Sequence, residues 1–134
     1  MQPTNVQIIE SMWVAWHGDD MTDWFGFFDP GAVWQTRDDE PDAGVYEGHA
    51  GIARLMDFWA DNFDALVVEP EEYVDAGDSV VVPSVVRGRG KTSGAPVELH
   101  YSFVWTLRDG KIVAVREYQS KEDAFEALGV AIDR

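Results

Sequence analysis

The sequence predicts an α+β domain in which a curved, cone-shaped antiparallel sheet wraps over three N-terminal helices. The sheet has four long strands plus shorter ones, and a short C-terminal helix follows it. Helical periodicity is concentrated before residue 63, and alternating strand patterns fill most of residues 66–119. Strand and helix units do not alternate and no internal repeat is visible, which favours α+β over α/β. Residues 1–134 are therefore predicted to form a single domain.

The first part of the chain contains three predicted helices separated by turn signals and short strands. Apolar residues recur at helical spacing in the first and third helices. Thr4 or Asn5 can cap the first helix, and Gly18 can end it. The predicted elements are a helix over residues 5–17, a helix over Thr22–Phe28, strands over Ala32–Thr36 and Val45–Glu47, and a helix over Gly51–Phe63.

The second part contains four longer predicted strands and the last helix. Asp109-Gly110 lies between two alternating runs, and this is a strong hairpin signal because a type I′ turn requires positive φ at both central residues. Ser120 can cap the last helix, and Gly129 can end it. The predicted elements are strands over Leu66–Val74 and Ser79–Arg89, the two hairpin strands within Val97–Gln119, and a helix over Lys121–Leu128.

A regular two-residue turn determines which hairpin side chains share a face, because strand side chains alternate with period two. It pairs Ser102 with Glu117 and His100 with Gln119. One predicted face is typical of packing and carries Leu99, Tyr101, Phe103, Trp105, Ile112, Ala114, Arg116 and Tyr118. The other face carries Glu98, His100, Ser102, Val104, Thr106, Val113, Val115, Glu117 and Gln119, and we predict the site on this face.

Composition argues against several classes of partner. The chain has 25 acidic and 10 basic residues, a net charge of −15, which repels nucleic acid and anionic membrane surfaces. It has no Cys, so disulfides and thiolate metal sites are excluded. The three His residues are scattered, so we expect neither a metal nor another cofactor. No signal peptide and no apolar run approaching ~20 residues is visible, so a cytoplasmic protein is expected.

The element order and several motifs resemble the SnoaL-like polyketide cyclase family within the nuclear transport factor 2-like (cystatin-like) superfamily. The residues that carry the resemblance are Gly18 through Pro30, Tyr46 through Ile52, Leu107 through Val113, Arg116-Glu117-Tyr118 and Ala124 through Gly129. The resemblance implies a deep pocket between sheet and helices for a small apolar organic ligand. It also implies a homodimer formed through the outer face of the sheet.

The resemblance further indicates which chemistry to look for. Epoxide hydrolases of this fold place a catalytic carboxylate at the position of Glu117, but their other two catalytic residues align near Ser84 and Val86. The base of the ketosteroid isomerases aligns near Thr36. The chain therefore lacks the residues of those two chemistries. Polyketide cyclases use a carboxylate–histidine type of acid–base pair, which this chain can supply.

His100 and Glu117 are the predicted catalytic residues, because the regular hairpin places them one diagonal step apart on the same face. A carboxylate beside an imidazole makes a workable general acid/base pair. Ser102 is predicted to donate a hydrogen bond to a substrate carbonyl, and Tyr46 to an oxyanion. The full set of predicted substrate-contacting residues is Trp34, Tyr46, Trp59, Phe63, Ser84 and Ser102.

The sequence leaves three functions open. The first is a cofactor-free acid/base enzyme that cyclises, isomerises or dehydrates an apolar carbonyl compound. The second is a non-catalytic protein that binds a small hydrophobic ligand. The third is a dimerisation module whose interior is filled by its own Trp and Phe side chains. A structural role is also open for the predicted pair, with Glu117 bound to Arg116 or Arg108 at the surface and His100 exposed at the end of the sheet.

Overall fold

The computed structural model describes residues 3–18, 21–39 and 43–129, and these form one open sheet with helices on both faces. The helices are α1 (Asn5–Trp16), α2 (Met21–Phe25), α3 (Gly48–Asn62) and α4 (Lys121–Leu128). The strands are β1 (Phe28–Gln35), β2 (Val45–Glu47), β3 (Phe63–Pro70), β4 (Val74–Ala76), β5 (Ser79–Gly90), β6 (Pro96–Arg108) and β7 (Lys111–Tyr118). This arrangement confirms the predicted α+β class.

The strand order in the sheet is β2-β1-β7-β6-β5-β3, with β4 paired to β5. The long strands β3, β5, β6 and β7 pair antiparallel, as predicted. In addition, β1 pairs parallel to β7, so the sheet is mixed. The predicted strand over Leu66–Val74 is two strands, because β3 ends at Pro70.

The helix ends follow local signals in the sequence. Thr4 caps α1 through a capping box with Gln7. Ser120 accepts a hydrogen bond from the Asp123 backbone N–H, and Gly129 ends α4 in a left-handed conformation. α3 begins at Gly48, before the predicted Gly51, because the positive φ of 70° at Gly48 turns the chain directly from β2 into the helix.

The sheet separates two hydrophobic clusters, and we call its two sides the inner and outer faces. The inner face packs against α1, α2 and α3 through large side chains such as Trp13, Trp24 and Trp59. The outer face packs against α4 through Val81, Val104 and Phe125. Among the described residues, no helix is both long and apolar enough to cross a membrane.

One bulge near the hairpin turn changes the register of β7. Asp109 and Gly110 have φ values of 53° and 78°, as the predicted turn requires, and Leu107 pairs with Ile112. Thr106, however, pairs with Ala114 rather than with Val113, so Val113 is an extra residue. Every residue of β7 after this bulge faces the side opposite to the predicted one. The predicted faces are therefore correct for β6 and wrong for the second half of β7.

Candidate functional site

The carboxylate of Glu117 points into the inner face. Glu117 pairs with Phe103 across β6 and β7, and Phe103 belongs to the inner cluster. Only 6% of Glu117 is exposed. Its Oε2 accepts a hydrogen bond of 2.8 Å from the Trp34 Nε1, and its Oε1 lies 3.4 Å from the backbone N–H of Arg37. Two donors from the end of β1 and the residues after it thus orient a buried carboxylate.

Arg37 lies directly beside this carboxylate and anchors the chain that leaves β1. Its guanidinium stacks over the Tyr101 ring, 4.9 Å from the ring centre, and Nη1 donates to the His100 carbonyl at 2.9 Å. Nε and Nη2 bind both carboxylate oxygens of Asp39 at 3.0 and 2.7 Å. The hydrogen bond from Arg37 lowers the pKa of the Asp39 carboxyl below its usual value. Gln119 donates to the same carboxylate at 2.9 Å.

Aromatic rings continue the inner face away from Glu117. Tyr101 stacks on Phe103 with ring centres 5.5 Å apart, and Trp59 lies 5.9 Å from Tyr101. Phe63 lies 6.4 Å from Trp59. Tyr46 is the direct neighbour of Trp34 on the adjacent strand β2, so its side chain also faces inward. Four of the predicted substrate-contacting residues therefore lie around the same side of the sheet. With Tyr101 and Phe103 they form what we call the aromatic wall: Trp34, Tyr46, Trp59, Phe63, Tyr101 and Phe103.

Deeper in the molecule, aromatic side chains fill the inner face by packing on one another. Trp13 contacts Trp105 edge to face at 5.3 Å, and Trp34 contacts Trp105 at 5.5 Å and Phe103 at 6.2 Å. Such edge-to-face contacts are the favoured geometry for buried rings. The deep part of the inner face is therefore filled by the protein's own rings. A depression of about 720 Å³ adjoins Glu117, and Thr36, Arg37 and Gln119 are also among its lining residues.

His100 does not join Glu117, and the predicted shared face is wrong. His100 lies on the outer face, its side chain is 62% exposed, and its Nε2 is 3.2 Å from Glu98. Hydrogen bonds from His100 and Arg87 lower the pKa of the Glu98 carboxyl. The reason is the extra residue Val113, which turns Glu117 inward while leaving His100 on the outer face.

The two predicted serines also separate. Ser84 lies between Val82 and Val86 on the inner face, where its hydroxyl donates to the Val82 carbonyl at 3.1 Å. Ser102 pairs with Tyr118 and lies on the outer face, so it cannot donate to a ligand beside Glu117. Thr36 is buried, and its hydroxyl bonds the backbone of Gly44, which closes the connection between β1 and β2.

The sequence pattern indicates neither Arg37 as a site residue nor the hydrogen bond between Trp34 and Glu117. Arg37 follows a strand in a polar run, and nothing in that run distinguishes it from a surface residue. Tyr101 lies on the predicted packing face, which is the inner face of the sheet. No three His, Asp or Glu side chains in the described parts of the chain are grouped so that they could hold a metal ion.

The fold is that of the nuclear transport factor 2-like class. An NTF2-like protein from Burkholderia thailandensis has a TM-score of 0.81 with 23% identity, over 95% of this chain and 98% of that one. TerC, co-crystallised with polyporic acid, has a TM-score of 0.77 with 23% identity, over 92% and 96% of the two chains. A protein with a ketosteroid isomerase-like fold from Catenulispora acidiphila, in complex with trimethylamine, has a TM-score of 0.74 with 17% identity, over 96% of each chain.

The family follows from the sequence comparison. Residues 9–115 match the model of the SnoaL-like domain, so the chain belongs to this family, as the motifs predicted. The match ends just before Glu117 and includes Trp34, Arg37 and Tyr101. No curated protein sequence matches the chain.

Proposed function

We propose that this protein is a cofactor-free acid/base enzyme acting on a small apolar carbonyl compound, with Glu117 as the proton-transferring group. The observation that carries the proposal is a carboxylate that is 6% exposed, faces a wall of aromatic rings and is oriented by the Trp34 indole N–H. Buried carboxylates are uncommon in proteins, and many of them belong to functional sites. His100 has no part in this proposal because it lies on the other face of the sheet.

In the proposed reaction, the aromatic wall binds the apolar body of the substrate and Glu117 takes a proton from the carbon next to the carbonyl. The electron pair of that C–H bond moves into the carbonyl and forms an enolate. Tyr46 is the proposed phenolic donor to the enolate oxygen, since it neighbours Trp34 on the inner face. Return of the proton from Glu117 to another carbon gives isomerisation. In cyclisation, the enolate carbon attacks a second carbonyl, whose C=O double bond opens to an alkoxide, and the alkoxide takes the proton from Glu117.

Similar proteins support a ligand of this kind. TerC was co-crystallised with polyporic acid, and the Catenulispora acidiphila protein is in complex with trimethylamine. Both have the fold of this chain, and both were crystallised with a small organic molecule. We therefore also retain the alternative that this protein binds a small hydrophobic compound without converting it.

Hydrogen–deuterium exchange distinguishes these two functions. β-Tetralone has an acidic C–H next to its carbonyl, and its exchange in deuterated buffer is followed by NMR. We expect exchange above the buffer rate with the unchanged protein, and a loss of about a hundredfold or more in Glu117→Gln. The matched control is His100→Ala, which is expected to leave the rate unchanged. Exchange that survives in Glu117→Gln contradicts the role of Glu117, and saturable binding with no exchange supports the binding alternative.

We also propose a homodimer formed through the part of the outer face that α4 leaves open. Val67 is 43% exposed there, beside a row of charged residues in which Arg87 binds both Glu69 and Glu98. An exposed apolar residue among mutually neutralised charges suits a surface that meets its own copy. Sedimentation velocity of the unchanged chain should give a dimer, and Val67→Asp should shift it toward the monomer. A monomer at all concentrations contradicts this proposal.

A further inference from the structure

The position of Arg37 is unusual for a cation in a chain with a net charge of −15. Its side chain is only 14% exposed, while its partner Asp39 is 47% exposed. The guanidinium lies on the Tyr101 ring, which is part of the aromatic wall beside Glu117. A planar cation thus lies where the apolar wall ends and the exposed chain after β1 begins.

The bond between Arg37 and Asp39 has the geometry of carboxylate recognition. Both oxygens of Asp39 are bound in a fork by Nε and Nη2, at 3.0 and 2.7 Å. Arginine is preferred over lysine for such two-point binding because its donors are fixed in one plane. Asp39 is close in sequence and largely exposed, and an ion pair with such a partner contributes little to stability. A carboxylate from another molecule can therefore replace it, at the expense of that weak ion pair and of the hydrogen bond that Gln119 donates to Asp39.

We infer that Arg37 is a ligand-binding residue that selects flat, conjugated substrates carrying a carboxylate or enolate oxygen, with Asp39 occupying that position in the free protein. This inference rests on the proposed function, because it places the same ligand beside Glu117. The anionic oxygen takes the place of the Asp39 carboxylate on the guanidinium. The rings then lie in the depression beside Glu117 and Arg37.

The charges around the site explain why an arginine is needed. Long-range repulsion by the acidic surface is screened beyond about 8 Å at physiological salt, so it slows the approach of an anion without preventing binding. At short range, an anion placed beside Glu117 meets further negative charges, because Asp38, Asp39, Asp123 and Glu126 line the same depression and Arg116 is the second arginine there. The Arg37 guanidinium, which lies between the Tyr101 ring and Asp39, compensates for that repulsion where the anion binds.

Binding of two matched compounds tests the inference. β-Naphthoate is an anion at neutral pH, and β-naphthamide has the same shape without the charge. Isothermal titration calorimetry with the full chain at physiological salt is expected to show about tenfold tighter binding of the naphthoate. In Arg37→Gln this preference should disappear, while binding of the naphthamide changes little. Arg87→Gln is the matched control, since Arg87 is also paired with carboxylates but lies on the outer face.

A second variant tests the exchange itself. Asp39→Asn removes the competing carboxylate and keeps the size of the side chain, so naphthoate should bind several-fold more tightly than to the unchanged protein. Circular dichroism checks that each variant is folded. If Arg37→Gln does not fold, the inference is decided by the naphthoate affinity of Asp39→Asn and by the ratio of the naphthoate and naphthamide affinities in the unchanged protein. Equal affinity for the two probes, or weaker naphthoate binding in Asp39→Asn, overturns the inference.

The outcome is separable from that of the proposed function. Tetralone exchange that depends on Glu117, together with equal binding of the two naphthalene probes, refutes the role of Arg37 alone. Naphthoate binding that depends on Arg37, without any proton exchange, refutes the catalytic function and leaves the recognition of anions. If neither naphthalene probe binds, the inference is refuted. The tetralone experiment then decides the proposed function.

Discussion

Replacing Trp34 by Phe removes the indole N–H that orients Glu117 and keeps most of the ring. The bond from Nε1 to Oε2 is 2.8 Å long and buried, and its acceptor is a carboxylate. Trp105→Phe is the matched control. Trp105 is fully buried in the same aromatic cluster, and its Nε1 has no hydrogen-bond partner within the described part of the chain. Both substitutions remove the same atoms, but only the first removes a hydrogen bond.

The difference between the two variants isolates that hydrogen bond. Hydrogen bonds to charged groups contribute about 1.5–3 kcal/mol, and a buried carboxylate left without its donor costs a similar amount. The volume lost is the same in both variants, so the cost of the cavity largely cancels. We therefore expect Trp34→Phe to lower the free energy of unfolding by about 2 kcal/mol more than Trp105→Phe. With a urea slope of about 2 kcal/mol per molar, the two midpoints should differ by about 1 M.

Urea unfolding followed by far-ultraviolet circular dichroism is the appropriate measurement, because both substitutions change the tryptophan fluorescence. The double variant Trp34→Phe, Glu117→Gln completes a cycle, and the coupling between the two sites should be similar in size to the difference above. Equal midpoints for Trp34→Phe and Trp105→Phe would refute the reasoning, since the indole bond would then contribute nothing to the placement of Glu117.

Three further predictions concern the scaffold. Phe125→Ala removes the main contact of α4 with the outer face and should cost about 3–5 kcal/mol, measured as a lower urea midpoint. Gly110→Ala forces a side chain into a φ of 78° and should lower the thermal midpoint by about 4 °C, a cost of about 1 kcal/mol, as followed by circular dichroism. Burial, and secondly the charge of Glu10, raise the pKa of Tyr73. Its contribution to stability is therefore complete below the ordinary pKa of about 10 and is lost as pH rises through the folded-state value. Tyr73→Phe should flatten the alkaline loss of stability in urea titrations.

Most of the fold could be predicted because its signals are local. The turn at Asp109-Gly110 depends on two adjacent residues, and both adopt the positive φ that the sequence indicates. The last helix begins after Ser120 and ends at Gly129, as predicted from its caps. The parallel pairing of β1 with β7 is different, because it joins residues about eighty positions apart and depends on no local motif.

The site was harder to predict because side chains alternate between the two faces of a strand, so that a shift of one residue moves each of them to the opposite face. Val113 adds one residue to β7 between its pairs with β6, and this single insertion reverses the face of everything that follows. The pattern of β7 gives no warning, since Val113, Ala114 and Val115 are all apolar and suit either face. The strands of the hairpin can therefore be predicted correctly while two of their residues are assigned to the same face by mistake. This is the case for His100 and Glu117, which the structure places on opposite faces.

The interior nevertheless accepts only one of the two registers. Without the bulge, Arg116 points inward; with it, Glu117 does. Two groups meet this position. One is the indole N–H of Trp34 on β1, and the other is the backbone N–H of Arg37, two residues after β1 ends. Both are hydrogen-bond donors. An indole N–H cannot accept a hydrogen bond from a guanidinium, so an inward Arg116 would leave buried donors facing a cation. The choice of an anion at this position is thus made by residues about eighty positions earlier in the chain, which the pattern of the hairpin alone does not contain.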